Sequence, residues 1–241
     1  MTKQHFNFEE IFSFAWSKTK QHAWFLICSF IIYSVIMSAV SGVHVFSIFI
    51  FKGGVPLLQQ LVTLLIILSM VSMSLIIVRN ESFTFADLFN KLKSPKVVVS
   101  FLVLTVAYVL FLLACFIPFL GAFLATLQTL LFVGTAGVTP LLLAVLIGSA
   151  LLVPAGVYVM ICFKFYPYVL LENEHMTVLE IIKHTRKLTC CVFWKLFAFV
   201  LILTAFNLIG LLAFGVGLFL TVPVSLFAFA HLYRKLEVHT H

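Results

Sequence analysis

Charge is what this sequence has least of. Asp, Glu, Lys and Arg make up 10% of its 241 residues, against about 25% in soluble domains, and none occurs between Val97 and Phe163. A disordered chain needs the opposite composition, and a water-soluble core this apolar would aggregate. Both classes are excluded, and the bilayer is the natural solvent. No charged residue stands at the middle of a long apolar run. This argues against pumps and ion-coupled symporters, whose relays are built from intramembrane ionisable groups. Catalytic patterns are missing as well: there is no G-x-S-x-G, no H-E-x-x-H and no pair of carboxylates inside an apolar run. The chain is therefore expected to be no enzyme and to carry no cofactor. Cysteines are few and odd in number, five in all, with no C-x-x-C and no His/Cys cluster at zinc spacing. Cys28, Cys115 and Cys162 lie in apolar runs and read as small hydrophobes. Cys190-Cys191 flanks an apolar run and is open to acylation or oxidation.

What is present is hydrophobic: 63% of the residues, including 28 Phe. Apolar stretches of about 20 residues fit membrane helices, and six are expected: 23–45, 57–78, 97–116, 141–166 and two within 193–233. The first is far longer than a signal-peptide core and should remain as a span. Between spans three and four, residues 118–139 are apolar but interrupted by Gly121, Gly134 and Gly137 and bounded by Pro118 and Pro140. They are expected to form a re-entrant or outer-surface helix. The alternative, a seventh crossing, spreads the basic residues almost evenly over both sides. With six crossings every Lys and Arg except Lys52 falls on one side, as the positive-inside rule prefers. The expectation is a single all-α membrane domain, 1–241, with both termini cytoplasmic. Such a basic inner face favours anionic lipid headgroups as partners. Nucleic acid is rejected, because the basic residues are scattered over short flanking segments with no recognition motif.

Three short amphipathic helices are expected on the inner face, at 1–22, 84–93 and 177–190. Thr177-Val178-Leu179-Glu180 is a capping box, and the helix it opens puts Val178, Ile181, Ile182 and Leu188 opposite Lys183, Arg186 and Lys187. Asn7-Phe8-Glu9-Glu10 and Thr84-Phe85-Ala86-Asp87 repeat the same order of cap, two residues and acid. A unit of interfacial helix plus membrane hairpin used three times would explain it. So would the general need of any such helix for a cap.

At Leu220-Thr221-Val222-Pro223-Val224, followed by Ala228, Ala230 and Leu232-Tyr233-Arg234-Lys235-Leu236, the chain resembles bacterial six-span membrane families. These are the YciC-like proteins and the membrane domain attached to some glycerophosphodiester phosphodiesterases. The resemblance, clearest over the last 75 or so residues, implies a bacterial inner-membrane protein. No phosphodiesterase catalytic domain accompanies it.

Candidate functional residues follow from polarity in an apolar setting. Lys183, Arg186 and Lys187 are candidate lipid-headgroup contacts. Asn207, inside span five, wants an interhelical hydrogen bond, and Gln59, Gln60 and Gln128 are similar amides. Pro154 and Pro223 each remove a helix hydrogen bond and can open a kink. Gln128, Pro154, Asn207 and Pro223 are thus candidates for lining a cavity. Lys164 is expected to snorkel to the surface, with contact to a substrate anion as its alternative, and His44 to lie at the interface. Two functions stand open. One is an envelope protein that binds lipid, a membrane partner or its own copy through the basic face. The other is a transporter or channel for an uncharged or amphipathic small molecule.

Overall fold

The structure, a computed structural model, describes residues 7–51, 56–79, 81, 93–134, 139–173, 175–212 and 217–238. Among them there are helices and no strands, as expected where lipid offers backbone groups no other hydrogen-bond partner. In chain order they are α1 (Phe8–Gln21), α2 (Ala23–Phe51), α3 (Pro56–Val78), α4 (Pro95–Phe132), α5 (Pro140–Ala150), α6 (Leu152–Cys162), a 3-10 turn (Phe163–Phe165), α7 (Tyr166–Glu172), α8 (Val178–Cys190), α9 (Phe193–Leu212) and α10 (Leu218–Val238). Five stretches are long and apolar enough to cross a membrane: Ala23–Gly42, Gln59–Val78, Pro95–Phe132, the run Pro140–Glu172, and Phe193–Leu212. α10 is not one of the five, and its last two turns carry His231, Arg234, Lys235 and Glu237.

α10 is nevertheless the axis of the bundle. Val224, Phe227, Ala228, Ala230 and Tyr233 on it are wholly buried, and α1, α2, α3 and α9 pack around it. Its alanines keep neighbouring backbones close, which is how helices associate where lipid removes the hydrophobic drive. α9 approaches it closely where Gly210 lies against Gly217 and Thr221.

α1 is more than a helix resting on a surface. Asn7 caps it, accepting from the Glu9 N–H at 3.1 Å, and it runs antiparallel to α10. Glu10 meets Lys235 at 2.5 Å, and one turn on Phe14 stacks on His231 with ring centroids 4.0 Å apart. Ile11, Ala15 and Thr19, spaced by four, fill the contact. The Thr19 hydroxyl is satisfied by the Ala15 carbonyl at 2.8 Å, so a polar residue sits in that seam without an orphaned donor.

Of residues 118–139, expected to form a separate re-entrant or surface helix, 118–132 instead belong to α4. α4 continues without a break through Pro118 to Phe132. A proline costs its helix one hydrogen bond, whereas a loop in apolar surroundings would strand several backbone groups, so the helix carries on. At 1.5 Å per residue its 38 residues extend about 57 Å, nearly twice the hydrocarbon thickness. The chain turns at Gly134, whose φ of +78° suits glycine, and α5 and α6 return alongside α4. Together these helices form one long hairpin. The break between α5 and α6 falls at Leu151. Pro154 has no N–H to offer the Ala150 carbonyl, so the helix loosens there.

α8 holds the expected capping box: Thr177 N–H donates to Glu180 Oε2 at 2.7 Å and Glu180 N–H to Thr177 Oγ1 at 3.4 Å. It buries Ile181, Thr185, Leu188 and Thr189 against α6 and α7. Of the second amphipathic helix, 84–93, all but Lys93 lies outside the described residues, as does the side chain of His44.

Candidate functional site

The local sequence Phe163-Lys164-Phe165-Tyr166-Pro167 decides what lies at the centre. Pro167 has no N–H for the Phe163 carbonyl, so the chain tightens into the 3-10 turn, closed by Tyr166 N–H to Phe163 O. This turn points Lys164 across the bundle at α10, where its Nζ lies 5.4 Å from the centroid of the Phe229 ring. Lys164 lines a cavity of about 400 Å³ enclosed by α3, α4, the turn and α7, α9 and α10. Lys164 itself is an exposed residue.

The walls are mostly aliphatic and aromatic, with a few polar groups converging on the space. On α4, Thr105 donates to the Phe101 carbonyl at 2.7 Å and shares a 2.6 Å hydrogen bond with the Tyr166 hydroxyl. Tyr108 stacks on Phe163, centroids 6.1 Å apart. On the opposite wall Asn207 Nδ2 donates to Ser225 Oγ at 2.9 Å, and the Ser225 hydroxyl in turn donates to the Thr221 carbonyl at 2.9 Å. Among the described residues the Asn207 Oδ1 is buried and finds no hydrogen-bond partner. No carboxylate lines the space among the described residues, and Lys164 has no ion-pair partner there. Ile67 of α3 and Val109 of α4 line the cavity yet are 43% and 44% exposed. The cavity therefore opens sideways between those two helices.

Of the four residues expected to line a cavity, one does: Asn207 is in the wall. Pro223 is buried within α10 and is not among the lining residues. Gln128 and Pro154 are exposed on the long hairpin and take no part. Thr105, Tyr108 and Tyr166 went unread in the sequence; their signal is tyrosine and threonine at helical spacing within otherwise apolar runs.

The charged end of the bundle is separate. Arg79 contacts Glu172 and lies 3.9 Å from Glu81; Arg234 donates to the Val78 carbonyl at 3.2 Å. Lys235 holds the Glu10 carboxyl below its ordinary range through their hydrogen bond. Glu237, in the last turn of α10, is pushed up to about 7 by burial and by the neighbouring Glu172 carboxylate, while the Tyr233 hydroxyl donates to it at 3.0 Å. On α8, Lys183, Arg186 and Lys187 are all exposed. Lys183 and Lys187 border an open hollow of about 520 Å³ with His175, Met176, Glu180 and His184. The Thr177 backbone N–H keeps the Glu180 carboxyl below its ordinary range. Among the described residues no three His, Cys, Asp or Glu side chains gather where they would hold a metal ion.

Helical structure throughout the described residues and five membrane-length apolar helices define the class: an all-α polytopic membrane protein. Against known protein families, curated proteins and solved structures the chain has no match.

Proposed function

We propose that this chain is a non-enzymatic membrane protein that binds an amphipathic small molecule in the cavity between α3, α4, α7, α9 and α10, and carries it within or across the bilayer. The observation that carries this reading is a space of about 400 Å³ with polar side chains at its wall and an apolar opening on the bundle's flank. Small-molecule sites are of this kind: mostly apolar, about 300–1,000 Å³, with a few convergent polar groups. In this reading α10 is a sixth crossing and the charged end faces the cytoplasm of a bacterial inner membrane, with both termini there. The lopsided placement of Lys and Arg and the resemblance to YciC-like families support that orientation. The test uses Val109→Trp, which narrows the opening from an exposed position. Single-chain amphiphiles should raise the melting temperature of the detergent-purified protein and do so much less in the variant. Equal stabilisation of both proteins would remove the cavity from the function.

A second reading is favoured by the exposure of Lys183, Arg186 and Lys187 along one helix. It makes α8 a contact for anionic headgroups, worth about 1 kcal/mol per basic side chain near such a surface. Its test is flotation of the purified protein, held in an amphipathic polymer, with vesicles of anionic or zwitterionic lipid. The triple variant K183Q/R186Q/K187Q should lose any preference for anionic vesicles. A wild-type protein without preference would refute this reading. Binding of a membrane partner or of a second copy through the same face would appear as a cross-linked species that the triple variant loses.

A further inference from the structure

We infer that the occupant of the cavity is a single-chain amphiphile with one acidic head, admitted sideways between α3 and α4 and held with its negative charge against Lys164. The inference rests on the cavity being the functional site and adds the chemical class of its ligand.

The first argument is electrostatic. Lys164 is an exposed residue, but it lies within the membrane-length apolar run Pro140–Glu172, where lipid in place of water leaves an ammonium in need of compensation; other cations of the bundle have it, Arg79 on Glu172 and Lys235 on Glu10. Among the described residues Lys164 has only the face of Phe229, and an aromatic face is a weaker partner than an anion in the same low-dielectric space. The remaining polar groups at the wall are neutral. A cationic amphiphile would meet like charge, and a neutral one would leave Lys164 uncompensated. An acid completes the site.

The second argument is size. A cavity of about 400 Å³ lies toward the small end of the range for small-molecule sites, about 300–1,000 Å³, which suits one chain with a small head. The third is access. The opening is walled by Ile67 and Val109, both apolar and exposed, and α3 and α4 touch each other over only a short stretch. A hydrocarbon chain arriving from lipid passes such a gap without losing favourable surroundings, whereas a small hydrated anion has no polar path through it.

The experiment compares matched probes on protein purified in neutral detergent at pH 8. Binding of dodecanoate, dodecanol, dodecyltrimethylammonium and acetate is measured by thermal-shift titration on the wild type, K164Q, K164R and V109W. Dodecanoate should bind the wild type at least tenfold more tightly than dodecanol, and the cation and acetate should bind more weakly still. K164Q should bring dodecanoate to the level of dodecanol, K164R should keep the preference, and V109W should weaken both chains. If K164Q fails to fold, the wild-type comparison of acid with alcohol and the K164R result decide the matter alone. Equal binding of acid and alcohol by the wild type, or a preference that survives in K164Q, overturns the assignment of the anion while leaving the cavity as the site. Acetate binding as tightly as dodecanoate overturns the chain. Failure of every chain to bind, or binding untouched by V109W, instead removes the cavity function on which the inference stands.

Discussion

Replacing Gly210 with alanine should pry open the hairpin that builds one wall of the cavity. A Cβ at that position would stand 2.5 Å from Thr221 Oγ1, 2.9 Å from Thr221 Cγ2 and 3.1 Å from the Gly217 carbonyl carbon. Carbon atoms rest at about 3.5–4.0 Å, so α9 and α10 must separate by roughly an ångström. Overpacking of this kind costs about 1–3 kcal/mol, offset by up to about 1 kcal/mol from alanine's better helix propensity. A net loss of about 1–2 kcal/mol is expected, which for a chain of this size lowers the melting temperature by several degrees. Thr221→Ala removes the two nearest atoms. On its own it should cost little, because the buried Thr221 hydroxyl has no partner to lose. Combined with Gly210→Ala it should recover most of the stability, giving a coupling of about 1 kcal/mol in a double-mutant cycle. Asn207 lies one turn before Gly210, and Ser225 one turn after Thr221, so the separation also stretches their 2.9 Å hydrogen bond. The assay is thermal unfolding in detergent followed by circular dichroism, together with dodecanoate binding. A Gly210→Ala protein as stable as the wild type, or one that Thr221→Ala does not rescue, would refute the contact.

Thr177→Ala should remove the cap of α8 at a cost of about 1 kcal/mol, seen as faster amide exchange in its first turn with the membrane-length helices unchanged; an unchanged exchange rate contradicts the capping box. Glu237 has a folded pKa of about 7, above its ordinary value of 4.5. The folded state therefore keeps this proton to higher pH than the unfolded chain does, and stability falls as pH rises from about 4.5 through 7. Glu237→Gln should flatten that decline between pH 5 and 8 in a melting series, and an identical slope in the variant would contradict the carboxylate pairing.

How much of this was legible in the sequence follows from what each signal depends on. The caps at Asn7 and Thr177 depend on a few neighbouring residues, and both are where the sequence puts them. Membrane-length helices depend on local composition, which is unambiguous for α2, α3 and α9. Asn207 and Pro223 were singled out because polarity and a missing N–H are rare in such runs; Asn207 lines the cavity, while Pro223 is buried in α10 without lining it. Gln128 and Pro154 satisfied the same criterion and fall elsewhere, because neither residue type says which helix faces which. Pro118 looked like a boundary, yet the surrounding apolar run leaves a broken helix nothing to bond to, so α4 passes through it. The direction of Lys164 was hidden because it depends on Pro167 tightening the backbone and on Phe229, 65 positions away. The docking of α1 on α10 was hidden for the same reason. Its stripe of Ile11, Ala15 and Thr19 is small and partly polar, which suits a protein seam better than lipid, but the partner lies at the far end of the chain.

The central claim is that a membrane-derived chain occupies the space beside Lys164, and a fluorophore within that space tests it most directly. Tyr108 lines the cavity and is half-buried. Tyr108→Trp, in a chain whose three native tryptophans are replaced by phenylalanine, places a single reporter there. Titration with a brominated dodecanoic acid in neutral micelles should quench its emission saturably, with one equivalent bound, and unlabelled dodecanoate should reverse the quenching. Quenching that rises linearly with brominated acid and resists competition is what any lipid-facing tryptophan gives, and it would contradict the account.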